Sequence, residues 1–166
     1  RDDAAGRSGD HRRNTVSSAP DSGTLRSVTA APIDGVRTRL WRGGRLVAEN
    51  FPLAEVAGHL ADESALVWVD LHEPGHDRLL ALAEELGFDP HAVEDAIARG
   101  ERTKATRYAT HTFLTVYATA LDPDLDLGSE VGDGLASRLR TSRVSAFVLP
   151  RGVVTVHRGD VFDVDE

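Results

Sequence analysis

The sequence predicts an α/β domain, a mixed parallel and antiparallel sheet with helices packed on it. Three observations carry this expectation. Strand-like segments come first, two helical segments occupy the middle and further strand-like segments follow, an order that suits helices laid on a mixed sheet. Apolar residues make up 40% of the 166, enough to bury one core. Aromatics are only 5%, so that core is built mainly from Leu, Val and Ala.

Residues 1–32 are rich in Arg, Asp, Ser, Gly and Ala without apolar periodicity and read as a poorly ordered tail. Residues 33–166 read as a single domain. Residues 36–41 and 46–50 are short strands flanking Gly43-Gly44, which supplies the positive φ angles of a tight hairpin. Leu53, Val56, Ala57 and Leu60 then space a short helix, and residues 66–71 make a buried strand.

The clearest helix holds Leu79, Leu80, Leu82, Ala83 and Leu86 between Pro74 and Gly87. A second follows, with Asp89 as N-cap, Pro90 in the first helical position and a Phe88–Val93 staple. Ala92, Val93, Ala96 and Ile97 form its buried face, and Gly100 is placed to end it. Residues 106–121 read as one long strand and residues 122–134 as an acidic loop. Residues 138–149 and 152–157 form a hairpin through Pro150-Arg151-Gly152.

Several classes of function are disfavoured. A formal net charge of −8 opposes nucleic-acid binding, which draws on clustered Lys and Arg. No cysteine is present, which removes disulfides and thiolate zinc sites. The longest apolar runs, such as 65–69, are strand-sized, whereas a membrane helix needs about 20 apolar residues. Neither a phosphate loop nor a Gly-x-Ser-x-Gly elbow is found, so the chain is not expected to be an enzyme. Asp122, Asp124 and Asp126 imitate the start of a calcium loop, but Leu127 stands where Gly is needed and Asp133 replaces the bidentate Glu. His72 and His76 are separated by Pro74 and Gly75, which breaks the helical geometry of a His-x3-His pair. His59, His111 and His157 are scattered and read as surface or core-edge residues. With no methionine at all, Arg1 is not expected to be a natural start, and the chain reads as a fragment or processed product.

On the helix from Pro90, apolar positions centre between Ala92 and Val93 at about 100° per residue. His91, Glu94 and Asp95 then share the opposite polar face and are expected to converge. Taken alone, these acids are a solvated face well placed near a helix N-terminus.

Trp68-Val69-Asp70-Leu71, the helix after Pro74, and the run from Leu86-Gly87-Phe88-Asp89-Pro90 through Glu94-Asp95 stand in an order that resembles the cytosolic domain of the CorA family. Arg102-Thr103-Lys104, Arg107-Tyr108 leading into Phe113–Val116, Val154-Thr155-Val156-His157 and Gly159-Asp160-Val161-Phe162-Asp163 continue it, so that the resemblance covers roughly residues 36–166. Thr103 stands where the family usually has Pro, and the chain ends before the family's stalk helix, two membrane helices and Gly-Met-Asn signature.

The resemblance implies a cytosolic regulatory domain of a magnesium transporter of the cell membrane, sensing divalent cation at subunit interfaces to gate transport. It implies a homopentamer in the full-length protein, with membrane attachment only through the C-terminal helices beyond this chain. The isolated fragment is expected to be monomeric. By the same resemblance Asp95, helped by Glu94, would bind a weak regulatory Mg2+, with Zn2+ or Co2+ as other ions and the partner acid on a neighbouring stalk. Magnesium suits such a site because it keeps most of its waters and takes one or two carboxylates. A ZntB-like zinc transporter domain and a free-standing α/β enzyme or binding module are the alternatives.

Overall fold

The computed structural model describes residues 28–29, 35–121 and 139–159. The strands are β1 (Val28–Thr29), β2 (Val36–Arg42), β3 (Arg45–Glu49), β4 (Ala65–His72), β5 (Lys104–Arg107), β6 (Thr112–Leu121), β7 (Leu139–Leu149) and β8 (Gly152–His157). A single 3-10 turn, Leu53–Glu55, leads into α1 (Val56–Ala61), and α2 (His76–Leu86) and α3 (Pro90–Ile97) lie between β4 and β5. The strands form one sheet in the order β1-β3-β2-β4-β8-β7-β6-β5. Neighbours are antiparallel except for β1–β3 and β4–β8, so the sheet is mixed, as expected. Of the stretch 1–32, Val28 and Thr29 pair with Ala48 and Glu49 at one edge; its other residues, like the acidic loop and residues 160–166, lie outside those described.

Local chemistry explains most boundaries. Gly43 and Gly44, at φ 55° and 75°, make the β2–β3 turn. Gly87, at φ 66°, closes α2 in the left-handed conformation, with the Phe88 amide donating to the Ala83 carbonyl at 2.9 Å. Asp89 Oδ1 accepts the His91 amide at 2.9 Å and caps α3. Two helix limits differ from expectation. The α2 helix begins at His76, two residues after Pro74, and α3 ends at Ile97 because Ala98 turns extended at ψ 150°.

The one long strand expected over 106–121 is broken. Tyr108–His111 form a tight turn, closed by the Tyr108 amide on the His111 carbonyl at 2.8 Å, and β5 folds back antiparallel on β6. The Thr110 hydroxyl donates to the Gly87 carbonyl at 2.8 Å, which ties this turn to the α2–α3 junction. The β-rich composition of the segment hides the break, and one of the contacts that hold the turn is made to a residue more than twenty positions away.

Alternation along the strands divides the sheet into two faces. Val67, Val69 and Leu71 of β4, Val154 and Val156 of β8 and Phe147 of β7 join Val56, Leu79, Leu82, Val93 and Ala96 of the helices in one core. The intervening Asp70, Thr155 and His157 belong to the opposite face and are nonetheless buried. Gly152 is required at the β4–β8 contact, where an added Cβ would lie 2.9 Å from the Val67 carbonyl oxygen and 2.7 Å from Leu60 Cδ2.

His111 is buried among aromatic rings, 5.0 Å from both Phe88 and Tyr108 and 5.5 Å from Phe147. This corrects its reading as a surface or core-edge residue. Burial holds its imidazole pKa below the ordinary histidine value, with Asp89 opposing the shift weakly. The unfolded chain therefore takes up a proton near pH 6.5 that the folded chain resists, and stability falls as pH drops below that value. The loss should approach but not exceed about 1.4 kcal/mol per pH unit for this one group. Urea denaturation at pH 7.5 and 5.5 should show a smaller acid loss in His111→Phe than in the parent chain. Equal losses in both would remove His111 as the cause.

Candidate functional site

The candidate residues lie on α3, whose register follows from the Asp89 cap and Pro90. Ala92, Val93 and Ala96 face the core, which turns Glu94 and Asp95 outward. The structure separates the two acids. The Glu94 side chain is 78% exposed, with its Oε2 3.8 Å from His91 Nδ1. Asp95 is only 26% exposed and its Oδ2 lies 2.7 Å from Lys104 Nζ. The expected convergence of His91, Glu94 and Asp95 therefore does not form, because Asp95 is drawn to an ammonium at the start of β5.

Lys104 Nζ also lies 2.9 Å from Glu101 Oε2. The hydrogen bonds that Lys104 donates, to Asp95 first and then to Glu101, raise the lysine pKa above its ordinary value. Glu101 is fixed in turn through its backbone, whose carbonyl accepts the Tyr117 hydroxyl at 2.6 Å. Arg143 secures the other side of Asp95, donating to the Asp95 carbonyl at 3.3 Å and the Ala96 carbonyl at 2.9 Å. The result is two carboxylates from separate segments gathered around one cation. Lys104 was visible as the sole lysine of the chain, but nothing in its spacing from Asp95 announces the contact.

Such an all-oxygen carboxylate pair is chemically suited to a hard divalent ion such as Mg2+, which needs only one or two carboxylates and otherwise keeps water. A metal ion at Asp95 would compete with the Lys104 ammonium for the carboxylate. Among the described residues, no group of three or more His, Cys, Asp or Glu is placed to hold a metal by itself. His72 and His157 stack at 5.0 Å, but His157 Nε2 is turned to Asp70 Oδ2 at 3.1 Å.

That Asp70–His157 pair is a second polar centre, one that the sequence reading missed by placing His157 at the surface or core edge. Asp70 Oδ1 accepts the Thr155 hydroxyl at 2.5 Å, and Thr155 Oγ1 accepts the Trp68 indole N–H at 3.0 Å. The four residues link the parallel strands β4 and β8. Their alternate spacing in both strands was the available signal: Trp68 and Asp70 on one, Thr155 and His157 on the other.

The family described as CorA-like Mg2+ transporter protein matches residues 63–166, more than half of the chain. The chain belongs to that family. Among solved structures, the soluble domain of CorA from Methanocaldococcus jannaschii is similar at a TM-score of 0.50 and 10% identity, over 80% of this chain and 44% of that one. The full-length CmaX protein is similar at a TM-score of 0.52 and 14% identity, over 75% of this chain and 35% of that one. At these identities the likeness is one of fold, and the chain spans less than half of either structure. No curated protein sequence matches it. No helix among the described residues is long and apolar enough to cross a membrane.

Proposed function

We propose that this chain is a regulatory, cytoplasmic part of a magnesium transporter of the cell membrane, and that Asp95 takes part in a weak divalent-cation site between subunits. Family membership supports transport as the parent activity. The observation that carries the site is the gathering of Asp95 and Glu101 around Lys104. The two carboxylates already hold a cation at the protein surface, the Lys104 ammonium of the chain itself. A hydrated Mg2+ engaging Asp95, with a further acid from a neighbouring subunit, would tie subunits together. Loss of the ion would return Asp95 to Lys104 and release them. Glu94 lies one residue away, 78% exposed beside His91, and would hydrogen-bond the metal's waters. The oxygen donors favour Mg2+ over Zn2+.

The isolated chain supplies one side of such a site, so it should be monomeric and bind Mg2+ in the millimolar range or weaker. Amide chemical shifts of α3 followed during a Mg2+ titration measure this. Lys104→Gln should tighten binding about two- to fivefold by removing the competing ammonium, an effect on the scale of an exposed ion pair. Asp95→Asn should abolish the response. If Lys104→Gln weakens binding, or Asp95→Asn leaves it unchanged, the assignment fails. A tight magnesium-dependent pentamer of this chain in sedimentation would likewise overturn the half-site reading.

A further inference from the structure

A cavity of about 250 Å³ opens where the end of β8 meets the C-terminal turn of α3. Ala96, Ala98 and Val156 supply its apolar lining, Arg99, Arg143 and Arg158 its charge, and His157, whose Nε2 is turned to Asp70, completes it. No carboxylate lines it. Arg143 donates to the carbonyls of Asp95 and Ala96, and Arg158 to that of Ile97 at 3.4 Å. These bonds orient two guanidinium groups against the negative end of a helix, whose partial charge offsets them only in part. Arg99 makes no such bond, so helix capping does not account for its place in the lining. Among the described residues, none of the three is ion-paired with a carboxylate.

Three arginines without a carboxylate partner among the described residues thus share one small cavity in a chain of formal net charge −8. Each guanidinium carries five N–H donors in a planar fork, and the helix carbonyls engage only some of those on Arg143 and Arg158. Arginine forks match the tetrahedral oxygens of phosphate two at a time. The volume falls below the roughly 300–1,000 Å³ typical of pockets for larger organic ligands, which points to a single oxyanion or phosphoryl group.

We propose that this cavity is a binding site for a small multivalent oxyanion of the phosphate class, held by Arg99, Arg143 and Arg158. It is separate from the Asp95 carboxylate and does not depend on the cation reading. The anion would sit beneath the same α3 turn whose outer side carries Asp95.

The test is a titration of the whole chain with inorganic phosphate, read by amide shifts and by thermal denaturation, against chloride at matched ionic strength. Phosphate should shift resonances of residues 96–99 and 156–158 and raise the melting temperature, and chloride should do neither. Arg99→Gln and Arg158→Gln should each weaken binding about tenfold or more, the scale of a lost charge-assisted hydrogen bond. Arg99 anchors no backbone group, so its variant should keep the parent's circular dichroism and remain informative if Arg158→Gln is destabilised. A second titration with glycerol phosphate identifies the source. Equal binding indicates a phosphoryl group on a larger molecule, and exclusion of the ester indicates the free ion. An equal response to chloride, no response to phosphate, or a phosphate response unchanged in Arg99→Gln would overturn the proposal.

Discussion

Phe147→Ala should lower the stability of the chain by about 3–5 kcal/mol, the range for removing a fully buried aromatic side chain. Phe147 is fully buried near the C-terminal end of β7. Its ring stacks on Phe88 at a centroid distance of 4.2 Å and lies 5.1 Å from Phe113. Phe88 belongs to the α2–α3 junction and Phe113 to β6, so one ring joins the helical layer to the far half of the sheet. A domain of this kind has about 5–15 kcal/mol of stability in all. The change therefore removes a large fraction, and the urea midpoint should fall accordingly. Phe147→Leu, which keeps most of the volume, should cost clearly less. A loss below about 1.5 kcal/mol for the alanine variant would mean that the site collapses around the deletion.

Asp70→Ala should be of similar size. The carboxylate is buried and receives the Thr155 hydroxyl while facing His157 Nε2. Its removal leaves buried polar groups on β8 without their acceptor, for which about 3–5 kcal/mol is expected. Asp70→Asn retains the shape and one oxygen and should cost about 1–3 kcal/mol. A double-mutant cycle with His157→Gln separates the direct pair from general disruption, since coupled neighbours give an interaction energy and independent ones add. An alanine variant within 1 kcal/mol of the parent chain, or strict additivity in the cycle, would show that the pair contributes little.

The limits of the sequence reading follow a physical pattern. Gly43-Gly44, Gly87 and Asp89-Pro90 act on their own neighbours, and each could be assigned from local conformational preference. The end of α3 and the break at Tyr108–His111 depend on tertiary contacts, with Thr110 reaching Gly87 and Arg143 reaching α3. The candidate site divides in the same way. Helical periodicity correctly placed Glu94 and Asp95 on the polar side of α3. It could not foresee that Lys104 would take Asp95 and leave Glu94 to His91. Likewise a lone histidine carries no sign of burial, and His157 is brought against its partner Asp70 only when β8 pairs with β4.

That pairing also bears on how the protein is made. Strand β4 can acquire β2 from residues already synthesised, but its other neighbour, β8, follows more than eighty residues later, as the 85-residue separation of Asp70 and Thr155 shows. Until residues 152–157 emerge from the ribosome, β4 offers an open hydrogen-bonding edge, and Asp70 lacks the Thr155 and His157 partners that it is buried with. The nascent chain must pass through synthesis of α2, α3 and three strands in that state. Elongation pauses within this interval should favour aggregation or chaperone capture, and pauses after His157 should not.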